Sequence, residues 1–134
     1  MRGRVLSAGS ASGQAAVLAE PLSLWGGLDP ATGEVTDPQH PQRGLSLAGR
    51  VVIMPAARGS SSSSSVLAEA ARAGVAPAAI LLGEPDLILA IGSAVAAELY
   101  EVQIPVLVLP PDELAEIREG QRVDIGRDGA VTLG

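Results

Sequence analysis

Six consecutive serines, Ser60 to Ser65, follow Arg58 and Gly59 and run into the alanine-rich stretch Val66 to Ala73. Hydroxyls at this density suit two kinds of chemistry, anion binding and proton transfer. Backbone N–H groups at a helix start have no partners within the helix and carry the positive end of its dipole, so a carboxylate or phosphate fits there. Gly59 lets a ligand approach the backbone closely, and the hydroxyls of Ser60, Ser61 and Ser62 add further donors. A plainer reading stays open, in which one serine caps the helix and the others fill a turn.

Other chemistries find less support. A hydrolase-type nucleophile needs a Gly-x-Ser-x-Gly turn, and Arg58-Gly59-Ser60-Ser61-Ser62 has serine where the second glycine belongs. His40, the only histidine, lies between Gln39 and Pro41 in a loop, and nothing in the sequence places it near Ser60. It reads as a loop residue and not as part of a triad. One histidine, no cysteine and scattered carboxylates offer no metal-ligand spacing, so no metal is expected on this chain.

The elements that must position the serines are legible from their flanks. Arg50-Val51-Val52-Ile53-Met54 is a β-branched apolar run, and Val66 to Ala73 is dense in helix formers and stops at Gly74. A serine linker between separate domains would have polar surroundings; here both flanks are apolar, so the serines join a strand to a helix. Ala78 to Leu82 is continuously apolar, as expected of a strand covered on both faces in a parallel sheet. Strand, helix and strand form one unit, right-handed by the general rule. A further buried strand is expected at Pro105 to Leu109, after a segment from Ile88 to Leu99 that reads as partly helical around Gly92. A short helix after Pro111 and a hairpin of Val123–Ile125 with Ala130–Leu133, turned at Asp128-Gly129, end the chain. At the start, Arg4–Leu6 and Gly13–Leu18 read as a second hairpin through Ser7 to Ser12. Between Trp25 and Gly49, paired glycines and prolines without periodicity predict a long ordered loop facing something outside the chain. The fold class is therefore α/β: a strand-helix-strand core flanked by a small β-barrel-like sheet built from the two terminal hairpins.

Bulk properties narrow the function. The 134 residues read as one domain, with 47% hydrophobic residues but only one Trp and one Tyr, so Ala, Val, Ile and Leu must build the core. Fifteen acidic residues against nine basic ones, a net charge of −6, would repel a phosphate backbone, and the lack of aromatics removes base stacking, which excludes nucleic acid as a partner. No signal-peptide core or membrane-length apolar run is present, and cysteine is absent; a soluble, cytoplasmic protein with no membrane partner is expected.

One combination of residues is more specific than any of these properties. From Gly13 to about Leu109, Trp25-Gly26-Gly27, Asp29-Pro30, His40-Pro41, Arg58-Gly59-Ser60 and Gly74-Val75-Ala76-Pro77 closely resemble the small subunit, or swivel domain, of the aconitase X family. The resemblance implies a swivelling β/β/α domain that closes over a large subunit, the large subunit carrying an iron or iron–sulfur centre and most of the substrate pocket. It implies a hydro-lyase acting on a small hydroxy acid, inert as this chain alone. In the aconitase superfamily a serine of a Gly-Ser-Ser motif at a helix start is the catalytic base; the match gives that role to Ser60, with Gly59, Ser61 and Ser62 around the substrate. The superfamily motif continues with an arginine where this chain has Ser62, so that contact must be missing or come from elsewhere. The loop residues Trp25, Gly26, Gly27, Asp29 and His40 are expected on the partner interface, with burial of Trp25 in this chain's own core as the alternative. Two substrates fit the family, cis-3-hydroxy-L-proline and phosphomevalonate, and the long serine run favours the former. A non-catalytic ligand-binding module on the same scaffold is the remaining alternative.

Overall fold

The computed structural model describes residues 1–58 and 61–134. Along the chain run β1 (Arg4–Ser7), β2 (Ala11–Val17), the single kinked turn α1 (Leu24–Gly27), β3 (Val51–Met54), α2 (Ser63–Arg72), β4 (Ala79–Leu82), α3 (Leu87–Tyr100), β5 (Val106–Val108), α4 (Pro111–Leu114), β6 (Arg122–Ile125) and β7 (Val131–Leu133). The strands form one curled seven-stranded sheet in the order β1-β5-β4-β3-β2-β6-β7.

The centre of the sheet follows from composition. β3 and β4 are buried along their whole length and pair in parallel, Val51 with Ala79 through Met54 with Leu82. Successive side chains enter opposite layers of core. Val52, Met54, Ile80 and Leu82 join Leu67, Leu89 and Ile104 on the helix-covered face, whereas Val51, Ile53, Ala79 and Leu81 join Leu107, Leu114 and Val123 on the other. Both faces are apolar, so the run shows no alternation. α2 ends as expected, with Gly74 at φ 77° and the Val75 N–H bonded to Ala70 O at 2.9 Å.

The N-terminal strands depart from the expected hairpin. β1 pairs antiparallel with β5, while β2 pairs parallel with β3 through Ala15–Val17 and antiparallel with β6 through Ala11–Gln14. Both edges of β2 are thus occupied, and β1 covers the open edge of β5 on the far side of the sheet. The small residues between them serve a crossing and not a turn: a Cβ on Gly9 would lie 3.2 Å from Pro105 Cδ and 3.3 Å from Gln103. The C-terminal hairpin does form, β6 with β7. The barrel-like character has a different origin from two hairpins. Residues beside β1 and β7 tie the two sheet edges together, with an Arg2–Ala130 bridge, Gly3 N–H to Gly129 O at 2.8 Å and Val131 N–H to Met1 O at 2.8 Å.

α3 is also more regular than its sequence suggests, a continuous fourteen-residue helix and not a partly helical segment. Asp86 caps it, its side chain accepting the Leu89 N–H at 2.9 Å. Gly92 is where the helix crosses α2: a Cβ there would sit 2.9 Å from Ser64 O and 3.0 Å from Ser64 Cα. The glycine that weakens the helix locally is required by its neighbour.

Candidate functional site

Ser60, the expected base, and Gly59 beside it lie outside the described residues. β3 ends at Met54, and α2 begins at Ser63 with Ser62 at its cap position. The serine run is divided by function. Ser63 is buried, and its Oγ accepts the Trp25 N–H at 3.3 Å; Ser64 Oγ donates to Ser61 O at 2.8 Å; Ser61 and Ser65 are exposed. The Ser62 side chain makes no capping hydrogen bond to α2. Ser61 stands in solvent beside the helix start.

The Trp25 loop folds against this start. Trp25 is 60% exposed, so it is not a core residue, and Gly26 beside it adopts φ 77° with open space where a Cβ would go. The other expected interface residues turn inward. Gly27 is buried and leaves no room for a Cβ, which would meet Leu22 Cδ1 at 2.9 Å. Asp29 is half-buried, and its Oδ1 accepts the Ala31 N–H at 2.8 Å, closing an Asx turn. His40 is buried; Nδ1 accepts the Gln42 N–H at 3.1 Å, which leaves the proton on Nε2, 3.1 Å from Glu20 O. These three shape the loop that Trp25 and Gly26 present.

Sequence reasoning gave no role to Arg58, which borders two recesses at this end of the sheet. One is a narrow cleft shared with Ser63, Leu24, Asp86 and Leu89; the other, about 100 Å³, is shared with Glu20, Asp37 and His40. Arg58 is exposed and makes no ion pair among the described residues. No other arginine borders either recess. The usable signal was the type itself: every basic residue of this chain is arginine, and one of them directly precedes Gly59. Position adds to the signal, because ligands of open α/β sheets bind outside the carboxyl ends of parallel strands, where β3 delivers this segment. Hydroxyls, a helix start and one guanidinium suit an anionic ligand, the planar fork of arginine matching a carboxylate. An iron centre does not fit here: there is no cysteine, both His40 nitrogens are hydrogen-bonded, and no group of three potential ligands exists among the described residues.

With this geometry in place, the comparison with known families is decisive: the model of the aconitase X swivel domain matches residues 1–133. The chain belongs to that family. The aconitase X swivel architecture is seen directly in aconitase X of Thermococcus kodakaraensis, with TM-score 0.88 at 32% identity over 99% of this chain and 96% of that one. Among aconitase X relatives, a cis-3-hydroxy-L-proline dehydratase of Pseudomonas aeruginosa is 51% identical over 97% of this chain but only 23% of its own length. The chain thus spans about a quarter of that relative. A phosphomevalonate dehydratase small subunit of Thermococcus gammatolerans is 38% identical, over 96% of this chain and 92% of its own.

Proposed function

We propose that this chain is the swivel part of an aconitase X dehydratase for cis-3-hydroxy-L-proline, working with a large subunit that holds the iron centre. The observation that carries the substrate is the 51% identity to the Pseudomonas aeruginosa dehydratase, against 38% for the phosphomevalonate dehydratase small subunit of Thermococcus gammatolerans. In this reading Ser60 removes the proton from the carbon bearing the carboxylate, and the hydroxyl on the neighbouring carbon departs as water. The resulting double bond relocates to the ring nitrogen to give a pyrroline carboxylate. Ser61, Ser62 and the Gly59 backbone hold the substrate carboxylate at the start of α2, and Arg58 supplies its positive charge. A serine hydroxyl is a weak base unless its alkoxide is stabilised; the helix start, the guanidinium and the exclusion of water on closure do this.

A second reading has an observation of its own. The small subunit of Thermococcus gammatolerans is matched over 92% of its length, and it is named for phosphomevalonate. Co-expression with the large subunit, followed by assay of both substrates, decides between them. Turnover of cis-3-hydroxy-L-proline by the pair, with none by this chain alone, is the expected result. Turnover of phosphomevalonate only would move the assignment to the second reading, and turnover of neither would return the chain to a binding module. Within an active pair, Ser61→Ala is expected to raise KM with little change in kcat, since it removes a contact present in ground and transition states alike.

A further inference from the structure

α3 exposes more large apolar side chain than its surroundings justify. Leu87, Ile91 and Leu99 are 70%, 56% and 63% exposed. Its inner face is Leu89, Gly92, Ser93 and Ala96, which pack on α2 and the β1–β5 edge; Ser7 Oγ lies 2.8 Å from Ser93 Oγ, which in turn donates to Ile104 O. At helical spacing Leu87, Ile91, Ala94 and Glu98 then form one exposed stripe on the opposite side, facing away from α2 and the sheet. An outward stripe of this kind marks a contact with another molecule.

Three observations identify the occupant. The stripe starts beside the candidate site, because Asp86, Ile88 and Leu89 line the same cleft as Arg58 and Ser63. In the Pseudomonas aeruginosa relative the matching region is 23% of one chain, so there it is joined to a much larger remainder. Charge excludes a second copy as the better fit: residues 84–101 carry Glu84, Asp86, Glu98 and Glu101 and no arginine. A two-fold contact would set these carboxylates against their own copies. We infer that the outward face of α3 docks in an apolar groove of the large subunit, and that basic side chains rim that groove. This rests on the aconitase X reading above and goes beyond it by placing the interface on a helix outside the serine and Trp25 loops.

The test compares Leu87→Glu, Ile91→Glu and the milder Ile91→Ser with wild type for binding to the purified large subunit. Thermal unfolding and sedimentation of each isolated chain accompany it. The glutamate variants should bind the large subunit about ten- to a hundred-fold more weakly. Their melting temperatures should stay at the wild-type value and, at saturating large subunit, kcat should be kept. Weaker binding by Ile91→Ser in the same direction supports the proposal. Unchanged binding by all three variants in a complex that turns over would overturn the docking face and leave the functional reading intact. A wild-type chain that self-associates and becomes monomeric in Ile91→Glu would assign the face to a second copy and overturn it as well. If wild type fails to bind the large subunit at all, the functional reading itself falls, and the docking inference falls with it.

Discussion

α2 and α3 pack against each other on one face of the sheet, yet they meet water in opposite ways. α2 is amphipathic: Val66, Leu67, Ala70 and Ala71 are buried, Ser65 and Arg72 face out, and Glu69 pairs with Arg72 through Nε contacts of 2.9 and 3.0 Å. α3 has a single charged residue, Glu98, and puts leucine and isoleucine into solvent. The difference teaches what each helix is for. The outer face of α2 is polar within this chain, and the candidate site lies at its first turn. The outer face of α3 is apolar and exposed, and Gly92 sets the distance at which the helix packs on that first turn through Ser64.

The largest effect expected from breaking this division lies just ahead of α2. Ser60→Ala in the active pair should lower kcat on the order of a hundred- to ten-thousand-fold with a smaller change in KM, the loss typical of a removed general base. Steady-state kinetics at saturating large subunit checks it, and near wild-type turnover would remove Ser60 from the mechanism. No substitution on the outer face of α3 should approach that loss in kcat.

Stability should divide the two helices next. Leu67 is fully buried, so Leu67→Ala should cost about 2–5 kcal/mol in denaturant unfolding. Leu87→Ala, at 70% exposure, should stay within about 0.5 kcal/mol. Equal costs would mean that α3 is buried in solution by self-association. A smaller change probes the contact itself. Gly92→Ala gains helix propensity of about 1 kcal/mol. It also forces a Cβ against the Ser64 backbone, an overpacking cost of about 1–3 kcal/mol, so the net should be destabilising and should carry a loss of activity that Ala94→Ser does not show.

The smallest effect concerns the solvated end of α2. Hydrogen bonding from Arg72 holds the Glu69 carboxyl below its ordinary value. A depressed folded value means that the contribution is complete above the unfolded value of 4.5 and is lost as pH falls through the lower folded one. Glu69→Gln should flatten the acid limb of the stability profile slightly and leave neutral pH nearly unaffected, as expected of an exposed pair.

Much of the site's setting was readable from local pattern. The serine run leads from the β3 side into the first turn of α2 because an apolar β-branched run and a block of helix formers flank it, and those signals act over a few residues. The division of labour among the serines was not readable. Ser63 is spent on Trp25, thirty-eight positions away, and identical side chains in a row carry no mark of which one a distant backbone will reach. His40 illustrates the same limit: a polar residue in a Pro-rich loop gives no sign that Glu20 and Gln42 will enclose it.

Sequence alone determined the α/β class, the β3-α2-β4 unit, the C-terminal hairpin and the end of α2 at Gly74, because periodicity, propensity and turn chemistry are short-range and act within each segment. Tertiary structure decided the partner of β1, the closure of the sheet through residues 1–3 and 129–131, the outward placement of Trp25 and the bare face of α3. Strand pairing depends on which edge is still open once the others are filled, and a helix face is inside or outside only by virtue of what else has already packed there. Neither quantity exists until the whole chain is in place.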